Sequence, residues 1–433
     1  MSDRLQQALQ FIDDHEAEVV ATLQEFIRTR SINPAFDPSS PGEGAMAALV
    51  AERWRRLGFE IQTVEAEAGR PNVIARRAGT GPGPRLLVNA HLDTHPERVG
   101  PWVDPYTGQW KTEWSVGAFS GELRDGRIYG RGAVDHKSPI AALLHAVEAL
   151  DAAGIRLGGE LTVIHDVDEE TGGGKGMAHL AEVMPMDYDM ALYATTTDVT
   201  DLGKKFFSST GRNNIFRTLS GRIAFRIKVS GVNLHTLSPR WGLGAAEAAL
   251  RLLDILRPLM DRLNAYVCPV EGRGQPLLRV TAIDSAGRGA SHHQARECTI
   301  HLSRRVPVSH TLDQARAEIR EAVEHFRRQY PEHEVEVEET AVTAPYECPE
   351  DAPIVQGFAR AVRRALGEEP NVTGLPSPVG LSALLNRARL PAVVFGYGIV
   401  QLHHAIDEHI AVRDLMRMTR VYAAGLVEVL GEG

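Results

Sequence analysis

The tightest constraint on the fold is a set of short, continuously apolar runs that each stop on residues able to bind a metal. Arg85-LLVNA stops at His91, Glu160-LTVI runs into HDVDEE, and MALYA runs into TTTD at Asp198. Short apolar runs bounded by turn signals read as strands buried on both faces, which a parallel sheet covered by helices requires. Helix-like stretches lie between them, at 46–57 and at 140–150, the latter behind Ser138 and Pro139 as cap and first-turn proline. The region from about 45 to 200 is therefore predicted as α/β, a mainly parallel sheet flanked by helices.

From about 215 the pattern changes. Ile223, Phe225, Ile227 and Val229 alternate with Ala224, Arg226 and Lys228, as in a strand with one buried face, and Gly231 marks a hairpin-like end. A helix over 245–263, kinked at Pro258, strands over 277–283 and 297–302, and a helix over 312–329 complete a small α+β domain. The earlier style then returns, with a helix over 353–366, a strand over 390–395 and a closing helix over 412–430. The expected organisation is a catalytic domain in two parts, 1–214 and 331–433, with a domain inserted at 215–330. At the N-terminus, Leu5, Leu9, Ile12, Val19, Leu23, Phe26 and Ile27 predict one amphipathic helix ending before Asn33-Pro34.

Charge and cysteines narrow the setting. A net charge of -9 with no basic block argues against nucleic acid and for a small polar substrate. Cys268, Cys298 and Cys348 lack any CxxC spacing and suit a reduced, cytoplasmic compartment. The N-terminus is unlike a signal peptide, and no apolar run approaches the roughly 20 residues that span a bilayer.

The chemistry sits at the ends of the runs. In HLDTHP, Asp93 lies two residues after His91 on an extended segment, so its carboxylate can accept from one ring nitrogen while the other binds metal. In GRGAVDHK, Asp135 has two oxygens and can bridge two cations; His136 is expected to point away and Lys137 to pair with local acids. In HDVDEETGGG, the acids at 166, 168, 169 and 170 repel one another unless cations or protons compensate. Adjacent glutamates can divide the work, one on a metal and one as general base on the activated water. Asp198 and Asp201 follow a third run, and QLHHAIDEH offers His403 or His404 as a ligand with Asp407 or Glu408 to orient it.

Taken together these segments resemble the aminoacylase, carboxypeptidase G and succinyl-diaminopimelate desuccinylase family of co-catalytic metallopeptidases, over nearly the whole chain. The resemblance implies metal ligands at His91, Asp135, Glu170, Asp198 and His404, with Asp135 as the bridge, Asp93 as the supporting acid and Glu169 as the base. It implies two divalent ions, zinc first, with manganese or cobalt also fitting. The inserted domain resembles the family's lid and dimerisation domain, so a homodimer is expected. There, HTLSPRWGLGAAEA is similar to the segment whose histidine reaches a neighbouring subunit's site, which nominates His235. Arg305, with Arg304 as its alternate, falls where relatives hold a substrate carboxylate, and His292 stands near the place of a substrate-binding asparagine.

The activity so implied is cleavage of an amide C–N bond in a small N-acyl amino acid or peptide-like substrate by metal-activated water. Departures cluster on the substrate side: DHKS, TDVT, Gly244-Ala245, Leu381 near an expected aspartate, and a long stretch over 95–130 carrying Trp102, Trp110 and Trp114. An aromatic pocket built from these residues would instead suit release of ammonia from an aromatic amine, or cleavage of a ureido compound.

Overall fold

Consecutive apolar residues can be satisfied only where both faces of a strand are covered, and the runs over 85–89, 160–165, 190–194 and 392–395 meet that condition. In the computed structural model, which describes residues 3–98, 100–104, 106–200, 211–232, 235, 237, 244–266, 274–286 and 293–433, they form adjacent strands. Arg85–Asn89 pairs in parallel with Glu160–His165 and with Met190–Ala194, and the latter pairs in parallel with Ala392–Phe395. Pro71–Arg77 and Glu60–Glu65 extend one side antiparallel, and Asn214–Leu219 extends the other. The fold is α/β, with a largely parallel central sheet flanked by helices.

Helix Lys137–Ala152 is buried along nearly its whole surface because Asp3–Asp14, Glu16–Arg28 and Val412–Leu430 all pack on it. It begins one residue before Ser138, with His136 at the cap and no side-chain cap bond. Pro139 is tolerated because first-turn N–H groups have no helical acceptor. Nor does Lys137 pair with acids: its Nζ donates to the carbonyls of Phe26 (2.9 Å) and Thr29 (2.7 Å). These are orphan acceptors at the end of helix Glu16–Arg28, and burial pushes the amine down to about 7. The N-terminal segment is two helices, broken at His15 and ending at Arg28. Ile12 and Val19 are seven apart, so their spacing fits a broken helix as well as a continuous one.

The chain divides into two units, one of Met1–Arg217, Cys348–Thr373 and Val379–Gly433, the other of Thr218–Glu347 and Gly374–Pro378. In the second, four antiparallel strands run in the order Leu277–Ala286, Glu297–Val306, Gly221–Ser230, Val335–Thr343. Ile223, Phe225, Ile227 and Val229 point inward and meet Leu252, Leu256 and Leu259 of helix Ala245–Ala265 and Ile319 and Phe326 of helix Leu312–Gln329. Gly221–Ser230 does not fold back as a hairpin at Gly231, since both of its neighbours come from later in the chain. Pro258 lies inside one continuous helical span. Cys298 is free and buried, Cys348 is buried, and Cys268 lies outside the described residues. Among the described residues no helix is long and apolar enough to cross a membrane.

One core contact carries a stability prediction. Trp54 Nε1 can only donate, so His165 Nε2, 2.8 Å away, accepts, and the Nδ1 hydrogen goes to the carbonyl of Ala90 at 2.9 Å. Protonation would set two donors against each other in a fully buried place, and burial holds this imidazole down to about 4. The unfolded chain, with an ordinary value near 6.5, takes up the proton first. Stability from this contact is thus fully present above about pH 6.5 and lost as pH falls toward 4, a total of about 3 kcal/mol. Urea midpoints measured from pH 7.5 to 4.5 should show that slope, and His165→Gln should flatten it.

Candidate metal centre

Parallel strands put the residues that follow them at one edge of the sheet, where ligands of open α/β sheets collect. Past Asn89 the chain delivers His91 and Asp93; past His165 it delivers Asp166, Asp168, Glu169 and Glu170; past Phe395 it reaches His403 and His404. Asp135 arrives from the turn ahead of Lys137–Ala152.

The carboxylate of Asp135 is the hub. Its Oδ1 lies 3.2 Å from both His91 Nε2 and His136 Nε2, and its Oδ2 lies 3.1 Å from both His403 Nδ1 and His404 Nε2. Burial alone would raise Asp135, but the charge of His403 and hydrogen bonds from His403 and His404 outweigh it and hold the carboxyl well below its ordinary range. Glu170 Oε2 is 2.9 Å from His404 Nε2 and 3.3 Å from His95 Nε2. Two groups therefore bring their donor atoms within 4.8 Å of one another: His91, Asp135 and His136, and His95, Glu170 and His404.

Supporting bonds fix this arrangement. His91 Nδ1 meets the backbone carbonyl of Asp93 at 3.0 Å, which leaves Nε2 aimed at Asp135. The Asp93 carboxylate lies farther from that ring, at 3.4 Å, and accepts instead from the backbone N–H of Glu169 and Glu170, 3.1 Å each, and from Asn33 Nδ2 at 2.8 Å. Asp166 and Asp168 are spent on the loop itself. Asp166 accepts from Asn89 Nδ2 and Met177 N, while Asp168 accepts from Thr171 Oγ1 and Lys175 N beside Arg70. Glu408 accepts from the N–H groups of Val134 and Asp135 and pairs with Arg131 at 2.7 Å, and Arg131 also donates to the carbonyls of His404 and Ala405. Asp407 serves the neighbouring loop, accepting from Ser115 N and Lys111 Nζ.

The electrostatics separate the two adjacent glutamates. Burial, followed by the charges of Glu170, Asp135 and Asp93, pushes Glu169 up to about 7 against the opposing charge of His91. Glu170 is drawn below its ordinary value, because hydrogen bonds from His404 and His95 outweigh burial and Asp135. Against the pull of burial, Asp135 and Glu170 raise His404 to about 10, and bonds to Asp135 and Asp93 raise His91 well above 6.5. Protons on these rings occupy positions where cations would satisfy the same carboxylates. Divalent metal fits the donor set on a further count: Glu170 Oε1 is buried with no hydrogen-bond partner among the described residues.

Several residues nominated by the sequence are not members of these two groups. Asp198 joins neither group; its Oδ2 accepts from Gly398 N at 3.1 Å, and burial pushes it up to about 7. The strand before it ends at Ala194, and three buried threonines carry Asp198 past the sheet edge. His136, expected to face away, faces in, because the chain there is a turn and strand alternation does not apply. His235 and Arg305 belong to the second unit, where His235 Nδ1 accepts from Leu237 N and Arg305 donates to the carbonyl of Pro376. Arg304 is fully buried against Glu318, and His292 lies outside the described residues. Trp110 is exposed and Leu381 is packed in the core, so these two do not line a common pocket. The sequence reading missed His95, although HLDTHP displays it, and Tyr193, whose hydroxyl donates to Glu169 Oε1 at 3.1 Å from the middle of an apolar run.

Comparison with known proteins gives the family of the chain. The profile of peptidase family M20/M25/M40 matches residues 87–428. A succinyl-diaminopimelate desuccinylase of Gluconacetobacter diazotrophicus is 28% identical over 398 residues, covering 90% of this chain and 94% of its own. Among solved structures, the di-peptidase Dug1p of Saccharomyces cerevisiae superposes with a TM-score of 0.76 at 14% identity, covering 99% of both chains. Human carnosine dipeptidase 1 superposes at 0.72 and 19% identity, covering 98% of both. The chain belongs to peptidase family M20/M25/M40 and is a metal-dependent hydrolase of amide C–N bonds.

Proposed function

We propose that this enzyme cleaves the amide of a small N-acyl amino acid or short peptide, with Glu169 as general base and divalent ions held around Asp135 by His91, Glu170 and His404. The observation that carries this reading is the Asp135 carboxylate set between ring nitrogens on both of its oxygens, with Glu169 Oε2 3.9 Å from His91 Nε2. Zinc suits imidazole and carboxylate donors, and manganese or cobalt fits them too. Ions held there supply Lewis acidity toward the scissile carbonyl and make water a stronger acid.

Glu169 removes the proton from water and later hands it to the departing nitrogen. Tyr193 orients one of its oxygens, and Asp93 holds its backbone. On the second unit, Arg305 is the proposed holder of a substrate carboxylate. Its register partner on the adjacent strand is Arg222, and burial together with that neighbouring charge depresses Arg305 to about 10. A carboxylate beside the pair would relieve both effects. His235 is the proposed contact to a second copy in a homodimer, and the free thiol of Cys298 supports a cytoplasmic setting.

Amine release from a panel of N-acyl amino acids, dipeptides, ureido compounds and aminobenzoates, with zinc, manganese or cobalt present, tests the substrate class. Turnover confined to aminobenzoates would overturn it. A second test concerns the backbone beside the base. A Cβ at Gly380 would stand 2.6 Å from Glu169 Cγ. Gly380→Ala is therefore expected to displace Glu169 and lower kcat by roughly 10- to 100-fold with metal content unchanged. Steady-state kinetics with metal analysis checks it.

A further inference from the structure

We propose that the metal cage of this enzyme is completed by two additional imidazoles, His136 at one ion and His95 at the other, with Asp198 outside it. The inference rests on the metal-hydrolase reading above and specifies its ligands.

His136 is 2% exposed. Its Nε2 approaches the same Asp135 oxygen as His91 Nε2, both at 3.2 Å, and the two rings lie 4.0 Å apart. Its Nδ1 is buried without a hydrogen-bond partner among the described residues. At the other end of the cage His95 stacks on His404, ring centres 3.8 Å apart, and brings Nε2 to 3.3 Å from Glu170 Oε2. Each group thereby offers two imidazoles and one carboxylate within 4.8 Å.

Asp198 commits its backbone and one carboxylate oxygen to other work, while its Oδ1 is buried with no hydrogen-bond partner among the described residues. Its N–H donates to Gly398 O at 2.9 Å, its Oδ2 accepts from Gly398 N, and its carbonyl accepts from Val400 N at 3.0 Å. It clamps the segment leading to His403 and His404 and acts as a positioning residue. Replacing a carboxylate by neutral imidazole makes the cage less negative and richer in nitrogen, which favours zinc over manganese.

The test is zinc titration into the metal-free full-length protein by calorimetry, with X-ray absorption on the zinc-loaded form. Wild type is expected to bind zinc with about two imidazoles per ion, four rings shared over two ions. His136→Ala and His95→Ala should each weaken one site by roughly 100-fold or more, beyond what outer-shell changes produce. Asp198→Asn should leave zinc stoichiometry unchanged. Thermal unfolding of each metal-free variant separates lost ligands from lost folding, and the wild-type imidazole count needs no variant. One imidazole per ion, or loss of zinc in Asp198→Asn with both histidine variants intact, overturns the proposal while the hydrolase reading stands. A wild type that binds no divalent ion overturns both.

Discussion

Glu169→Gln is expected to lower kcat by roughly 10³-fold or more while metal content and fold stay as in wild type. The amide is nearly isosteric, so the backbone bonds from Glu169 and Glu170 to Asp93 and the hydroxyl of Tyr193 keep their partners. What disappears is a group able to take a proton from water and return it to nitrogen. The location makes the loss severe: Glu169 Oε2 lies 3.9 Å from His91 Nε2, beside the proposed ligands, where no other carboxylate replaces it. KM should change little, because the step removed belongs to the transition state. Full activity in this variant would remove Glu169 from the mechanism.

The second large effect is expected at Asp135. Asp135→Ala takes away the carboxylate that four ring nitrogens approach, from His91, His136, His403 and His404. Both groups then lose their common negative charge, and like-charged or unpaired imidazoles face each other across a buried space. Metal content should fall to trace levels, and activity should be undetectable even with excess zinc. Asp135→Asn separates charge from shape, since it keeps one oxygen but cannot bridge two cations as an anion. It is expected to lose more than 100-fold in metal affinity, read by calorimetry. An Asp135→Ala protein that retains its full metal complement would contradict the assignment.

The parts of the site that were legible in the sequence are those where strand ends dictate position. His91, Asp93 and the 166–170 acids follow short apolar runs, and a strand that must be buried on both faces delivers its next residues to the sheet edge. Residues set by turns were not legible. His136 faces the cage because the chain before Lys137 is a turn, and Asp198 is carried beyond the edge by a threonine stretch whose geometry periodicity does not encode. The same limit applied to the fold. Strand Val335–Thr343 reads VEVEETAVT, and as the edge of its sheet it buries Val335 while Glu336, Glu338 and Glu339 stay in solvent. Its VEVE alternation spans only four residues, and Val337 is itself 41% exposed, so the signal is short. Division of labour among the acids needed three dimensions as well, since nothing in HDVDEE says that Asp166 and Asp168 brace the loop while Glu169 and Glu170 face the imidazoles.

The most direct test of the central claim is amine release from N-acyl amino acids and dipeptides by the purified protein, stripped of metal and then reloaded. The account predicts no turnover in the stripped form, recovery with zinc, manganese or cobalt, and loss again in Glu169→Gln at equal metal content. A protein that binds no divalent ion, or that releases amine equally well with and without one, would contradict it.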